Sequence, residues 1–169
     1  MQINVSQLLQ SPVGATRVYQ ISEVIDVTGD GKNHLIEGKI KLMRTPRSIL
    51  AKGKLNTEVE LICSRCLCSY STPLSINIEE EYFPTVDVTS GVPLAQPEDP
   101  GSFTIDTHHI LDLTEAVRQY SLLSIPMKPV CRDDCAGLCP NCGQNLNQGT
   151  CNCPPQKIDS RWSALNKLL

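Results

Sequence analysis

Cysteines are the residues with the clearest chemistry in this chain. Six of the nine fall in CRDDCAGLCPNCGQNLNQGTCNC, residues 131–153, spaced Cys131-x3-Cys135-x3-Cys139-x2-Cys142-x8-Cys151-x-Cys153. An earlier pair, Cys63-x2-Cys66, lies about 65 residues upstream, with Cys68 just after it. Two residues between thiolates let both sulfurs face one ion. Gly143, after Cys142, can take a positive φ that turns backbone N–H groups towards sulfur. Asn145 to Gly149 then supplies turn residues that return Cys151 and Cys153 across a hairpin.

Nine thiols divide into two sets of four with one left over. The preferred partition places Cys139, Cys142, Cys151 and Cys153 on one zinc ion. Cys63, Cys66, Cys131 and Cys135 take a second, leaving Cys68 spare. Closing the loop from Cys66 to Cys131 costs roughly 4 kcal/mol, against about 10–16 kcal/mol from a structural zinc. The rival partition groups Cys131, Cys135, Cys139 and Cys142 and must reverse the chain within Ala136 to Leu138.

Other thiol chemistries fit less well. The first ten residues, MQINVSQLLQ, lack the basic start and apolar core of a signal peptide. The expected compartment is therefore a reducing cytoplasm, where disulfides are rare. A thioredoxin-like role for Cys63 and Cys66 needs a following helix, but TPLSINIEEEY alternates like a strand. Cys135-x3-Cys139-x2-Cys142 matches the spacing of radical S-adenosylmethionine enzymes, yet the βα alternation of their barrel is missing. An iron–sulfur or redox protein remains the enzymatic alternative. Four thiolates around each ion leave no open position for water, so such sites hold structure and do not hydrolyse. With no Gly-rich phosphate loop or nucleophile elbow, the expected class is a non-catalytic binding or scaffold protein.

Positioning these thiols falls to a chain of 169 residues with 4% aromatics and a single Trp162. The core is therefore aliphatic, and metal sites would supplement it. The formal charge is −3; each four-thiolate zinc adds a net −2, taking the loaded protein to about −7. Whole-molecule attraction to nucleic acid is thereby disfavoured, and any such contact needs a local patch. No apolar run reaches the length of a membrane span.

The pattern predicts an α+β fold: an antiparallel β-meander or partly open barrel with one main helix and a cysteine-rich, zinc-binding C-terminal segment. A brief strand and helical turn open the chain, with Ile3, Val5, Leu8 and Leu9 able to pack. Strands are expected at 17–27 (Val18, Ile21, Val24, Ile25), 34–43 (Leu35, Ile40, Leu42), 49–62 and 72–82 (Leu74, Ile76, Ile78). Gly29 to Gly31 turns the first hairpin. Residues 84–101 hold four prolines and read as a mobile loop. An edge strand is expected at 103–108. A helix follows from Asp112 to Ile125, started by reciprocal capping between Asp112 and Glu115 and packed through Leu113, Ala116, Val117, Tyr120 and Leu123. A last short helix, capped by Asp159, carries Trp162, Leu165 and Leu169. The expected division is a β-rich body at 1–130 and a zinc-binding tail at 131–169, packed on it as a single unit.

Lys39, Lys41, Arg44, Arg47, Lys52 and Lys54 form an acid-free basic run about a predicted hairpin. They are candidate phosphate contacts, with Arg65 on the first knuckle as an outlier. The plainer expectation is a solvated face or a sheet edge guarded by lysines. Glu79 to Glu81 reads as solvated charge, His34 as exposed, and His108 and His109 as ordinary polar positions on opposite faces of a strand.

Three blocks resemble one family: VELICSRCLCSYSTPLSINIEEEY at 59–82, IDTHHILDLTEAVRQYSLLSIPMKPVC at 105–131, and CAGLCPNCGQNLNQGTCNC followed by IDSRWSALNKL. In this order they resemble the YceD family of large ribosomal RNA subunit accumulation proteins. The resemblance implies a cytoplasmic factor supporting 23S ribosomal RNA and large-subunit assembly, with no assigned catalytic activity. The implied partner is a precursor large ribosomal subunit, met through 23S rRNA or a ribosomal protein, with no membrane and no small-molecule substrate. Cys63 and Cys66 match the family's first cysteine pair, and Cys131 to Cys153 its cysteine-rich C-terminal half. Cys68 and the loop at 84–101 carry no resemblance.

Overall fold

The computed structural model describes residues 1–154 except Asp30 and Gln96; the predicted last helix lies outside the described residues. The chain forms two compact units. The first comprises Met1–Leu61 and Ser71–Met127; the second holds Ile62–Tyr70 and, from Lys128, the rest of the described chain.

In the first unit, alternation builds one seven-stranded sheet. Its strands are β1 (Gln2–Asn4), β2 (Thr16–Asp26), β3 (Asn33–Arg44), β4 (Ile49–Ile62), β5 (Ser69–Pro84), β6 (Phe103–Ile105) and β7 (Ile110–Asp112). Their order is β1-β7-β6-β5-β4-β3-β2. On β4, Ile49, Ala51, Leu55 and Val59 are buried while Lys52, Lys54, Asn56 and Glu58 are exposed. β3 buries Ile36, Ile40 and Leu42, and β5 buries Leu74, Ile76, Ile78 and Tyr82. The period of two thus sends every other residue into one aliphatic core. Between β3 and β4 the inner face needs glycine at position 53. A Cβ on Gly53 would collide with the Lys39 carbonyl oxygen and the Ile40 backbone.

Two helices complete this unit, α1 (Ser6–Leu9) and α2 (Thr114–Ser124). Helix α2 buries Ala116, Val117 and Ser121, with Leu113 just before it. The Tyr120 hydroxyl donates to the Glu79 carbonyl oxygen on β5 at 2.6 Å. Among the described residues, no helix is long and apolar enough to cross a membrane.

Several expectations change. The stretch 103–108 is not one edge strand: β6 stops at Ile105, and Asp106 turns the chain into β7. Its Oδ1 accepts from the N–H groups of His108 and Ile110 at 2.9 and 2.7 Å, and His109 sits at φ 61°. The two histidines therefore occupy a turn. β6 runs parallel to β5, with Tyr82 opposite Phe103, so the sheet is mixed and β6 lies inside it. The crossover through 85–102 makes this direction possible. Part of that proline-rich connection is itself folded: Val86 bridges Pro93, and Asp87 N–H donates to Val92 O at 2.8 Å.

Leu35 points away from the core because Ile36 holds the buried parity. It faces Val24 across the β2–β3 ladder, both exposed. Val18 is also exposed, as expected of an edge strand with one wet face. Leu123 is 82% exposed, one position off the α2 stripe. Only half of the reciprocal cap forms: Asp112 Oδ1 accepts from Thr114 N–H at 2.8 Å, while Glu115 pairs with Arg118 and does not reach back. His34 is half-buried, its Nδ1 2.9 Å from the Glu58 carbonyl oxygen.

Candidate metal centres

The first thiol set begins where β4 gives way to a tight reversal. Cys63 N–H donates to the Cys68 carbonyl oxygen at 2.9 Å, and Leu67 N–H to Cys63 O at 3.0 Å. Arg65 N–H donates to Cys63 Sγ at 3.4 Å. The second knuckle repeats this geometry: Asn141 N–H donates to Cys139 Sγ at 3.4 Å, and Gly143 N–H to Cys139 O at 2.9 Å. The residue after the second cysteine is left-handed in both, Gly143 at φ 73° and Leu67 at φ 58°. Turning those N–H groups towards sulfur requires that conformation, so Leu67 holds a backbone position that glycine would occupy at lower cost.

The reversals gather eight sulfurs into two groups, Cys63, Cys66, Cys131 and Cys135, and Cys139, Cys142, Cys151 and Cys153. Within each group the ligand atoms all lie within 4.8 Å of one another. Cys63 Sγ is 3.9 Å from Cys135 Sγ, and Cys66 Sγ is 3.7 Å from Cys131 Sγ. Four Zn–S bonds of ~2.3 Å in a tetrahedron require sulfurs ~3.8 Å apart. The spacing therefore fits one ion per group. It is far longer than the ~2.05 Å of a disulfide, and all nine thiols are free. Cys68 is exposed and belongs to neither group.

Electrostatics fit the same reading. Backbone N–H groups, led by that of Cys66, pull the Cys63 thiol down to about 6. Those of Cys142 and Asn141 pull Cys139 down to about 6. The N–H of Cys68 favours the Cys66 thiolate, but burial and the neighbouring sulfurs outweigh it and push Cys66 up to about 12. Cys142 and burial do the same to Cys153. Each group thus has a thiol poised to ionise and another that resists it until a cation balances the charge.

Two residues read only as turn formers donate to sulfur, one to the first group and one to Cys68. Asn147 Nδ2 donates to Cys135 Sγ at 3.4 Å, while its Oδ1 accepts from Arg132 Nη2 at 2.7 Å and Ala136 N–H at 2.9 Å. Asn145 Nδ2 donates to Cys68 Sγ at 3.2 Å. Amide donors to sulfur orient a thiolate and stabilise its charge. The Asn-x-Asn spacing was the available signal, hidden because asparagine is common in turns. Arg65 commits Nη1 to the carbonyl oxygens of Asp133 and Cys135, both at 3.1 Å. The other six basic candidates lie in the first unit.

These clusters occur in a chain with recognisable relatives. Uncharacterised proteins of Mycobacterium bovis and Mycobacterium tuberculosis are 27% identical over 135 residues, covering 80% of this chain and 62% of their own length. The chain thus spans under two thirds of these curated relatives. A chloroplast protein of Zea mays, named large ribosomal RNA subunit accumulation protein YCED homolog 1, is 37% identical over 49 residues. That match covers 28% of this chain and 17% of the maize protein. No solved structure matches. The family model described as large ribosomal RNA subunit accumulation protein YceD matches residues 51–169. That span begins on β4 and takes in every cysteine of both groups: the chain belongs to the YceD family.

Proposed function

We propose that this protein is a zinc-stabilised, non-catalytic factor that supports accumulation of 23S ribosomal RNA during large-subunit assembly. It acts wherever those subunits are built, and its partner is a precursor large subunit. The family match over 51–169 carries this reading, and the name of the maize relative agrees with it. Zinc is the ion favoured by two closed sets of four thiols. Sulfurs within 4.8 Å of one another leave room for one ion and none for an iron–sulfur cube. Neither set keeps a position for substrate.

Anaerobic purification followed by elemental analysis tests the metal, with a colourless protein holding two zinc ions expected. A brown protein containing iron would defeat that part. Depletion of the protein in cells, read as the ratio of large- to small-subunit ribosomal RNA, tests the role. The ratio should fall, and a Cys66→Ser, Cys142→Ser variant should fail to restore it. Full restoration by this variant, with its zinc shown to be lost by elemental analysis, would refute the link between metal and function.

A further inference from the structure

In the first unit, β3 and β4 place Lys39 directly opposite Lys54 and Lys41 directly opposite Lys52. Strand spacing puts these four Cα atoms at the corners of a rectangle of roughly 5 by 7 Å. All four residues are exposed. Like charges directly opposite one another destabilise a sheet, and here two such pairs are stacked. Guarding an edge does not explain them, because β3 and β4 are interior strands. On β2, the residues opposite Lys39 and Lys41 are Gln20 and Val18, which carry no charge. One compensating contact, Lys52 with Glu79, is an exposed pair of little worth.

The same hairpin leads on to Arg44, opposite Ile49, and to Arg47 in the following turn. Both line a cleft of about 700 Å³ whose apolar wall includes Phe83, Leu94 and Pro97. Asp87 also faces this cleft. Its Oδ1 accepts from Thr89 N–H, Ser90 N–H and the Ser90 hydroxyl at 3.1, 2.7 and 2.8 Å, bonds in which Oδ2 takes no part. A fixed carboxylate beside an aromatic wall and two guanidiniums is poor for a bare phosphate cluster. It suits an unstacked base carrying an exocyclic amine, whose phosphate rests on the arginines.

We propose that this hairpin binds single-stranded RNA, with phosphates along Lys39, Lys41, Lys52 and Lys54 on its outer face and one base in the Arg44–Arg47–Phe83–Asp87 cleft at its turn end. The proposal rests on the ribosomal reading above and names the molecule contacted. Uracil lacks the amine that Asp87 would accept from, so cytosine-containing strands should bind more tightly.

The test is fluorescence anisotropy with short homopolymeric RNAs and the full chain. Four phosphate contacts should weaken binding roughly 50-fold between about 50 and 200 mM salt. Exchanging the four lysines for glutamine should remove most of that dependence while zinc content stays unchanged and the unfolding midpoint rises, as relief of the like-charge pairs requires. Oligocytidylate should outbind oligouridylate roughly tenfold. Asp87→Asn, whose Oδ1 can keep the same turn, should erase the difference. Absence of RNA binding, an unaltered salt slope in the lysine variant, tighter binding of duplex RNA, or equal competition by polyglutamate would each overturn the proposal. If RNA binding is absent but depletion still lowers 23S RNA, only this inference fails; if depletion has no effect, the ribosomal reading fails.

Discussion

Exchanging Cys66 for serine gives the sharpest test of the two-ion architecture. The side chain is 5% exposed, and its sulfur lies 3.7 Å from Cys131 Sγ. Serine is nearly isosteric but is not a thiolate at neutral pH, so it removes one ligand of four. A structural zinc contributes about 10–16 kcal/mol, and a quarter of that corresponds to a factor of about 10² to 10³ in affinity. Among its described residues the second unit has little to replace it: the buried cluster is Cys63, Cys66 and Cys135, with Tyr70, Val130 and Cys131 packed against them. Competition with a chromophoric chelator should therefore show one zinc held as in the parent protein and one held at least a hundredfold more weakly. Limited proteolysis should open the chain near residues 62–70. Cys68→Ser, at an exposed thiol outside both groups, should retain two ions. If Cys66→Ser keeps two zinc ions at parental affinity, or if Cys68→Ser loses one, the assignment of ligands is wrong.

Three further outcomes follow from the same geometry. Leu67→Gly relieves a left-handed leucine that is 64% exposed and should raise stability by about 1 kcal/mol in a denaturant titration of the metal-loaded protein. Gly53→Ala should cost about 1–3 kcal/mol in the same titration, because the new Cβ meets the Lys39 carbonyl rather than a side chain that can move. Zinc uptake should release protons, counted by calorimetry in buffers of different ionisation enthalpy. The metal-free second unit is expected to unfold, so its thiols return to the ordinary ~8.5 from the values of about 6 that the folded knuckles give Cys63 and Cys139. At pH 7.5 most of the eight ligand thiols then still carry their protons, and loading should release about seven per chain. Because protons then compete with the ion, zinc-dependent stability is present at neutral pH and is lost on acidification.

The sequence carried the sheet best where one face is wet and the other dry. Alternation located β3, β4 and β5 to within a few residues, since period two leaves a visible pattern over 12 to 16 residues. It failed where strands are short or the contrast between faces is weak. β7 is three residues long and hides behind a turn made by Asp106. β2 was placed to within a residue, but Val18 and Val24 are apolar and exposed, so its pattern did not show which face is buried. The parallel pairing of β6 depends on a crossover, and local periodicity is blind to strand direction. The thiol grouping was legible because knuckle spacing constrains geometry locally. The amides of Asn145 and Asn147 were not, because their sulfur partners are distant in sequence or in the other cysteine group.

The two units answer the cost of chain ordering in different ways. The first buries aliphatic side chains from β2 to β7, with Ile3 of β1 half-buried against them, and no cysteine belongs to that core. Among the described residues the second buries few apolar side chains, so a bound metal would take the place of a core there. Removing zinc should therefore unfold the second unit while leaving the sheet, since freeing residues 62–70 leaves β4 and β5 joined by a short loop. Closing a loop of that length costs only about 2 kcal/mol. The lysine rectangle and the cleft stand on the first unit, so chelated protein should bind RNA with the same salt slope as loaded protein. Its ability to sustain 23S RNA accumulation should nevertheless be lost. Loss of RNA binding on chelation would mean that metal and sheet cannot be separated in this way.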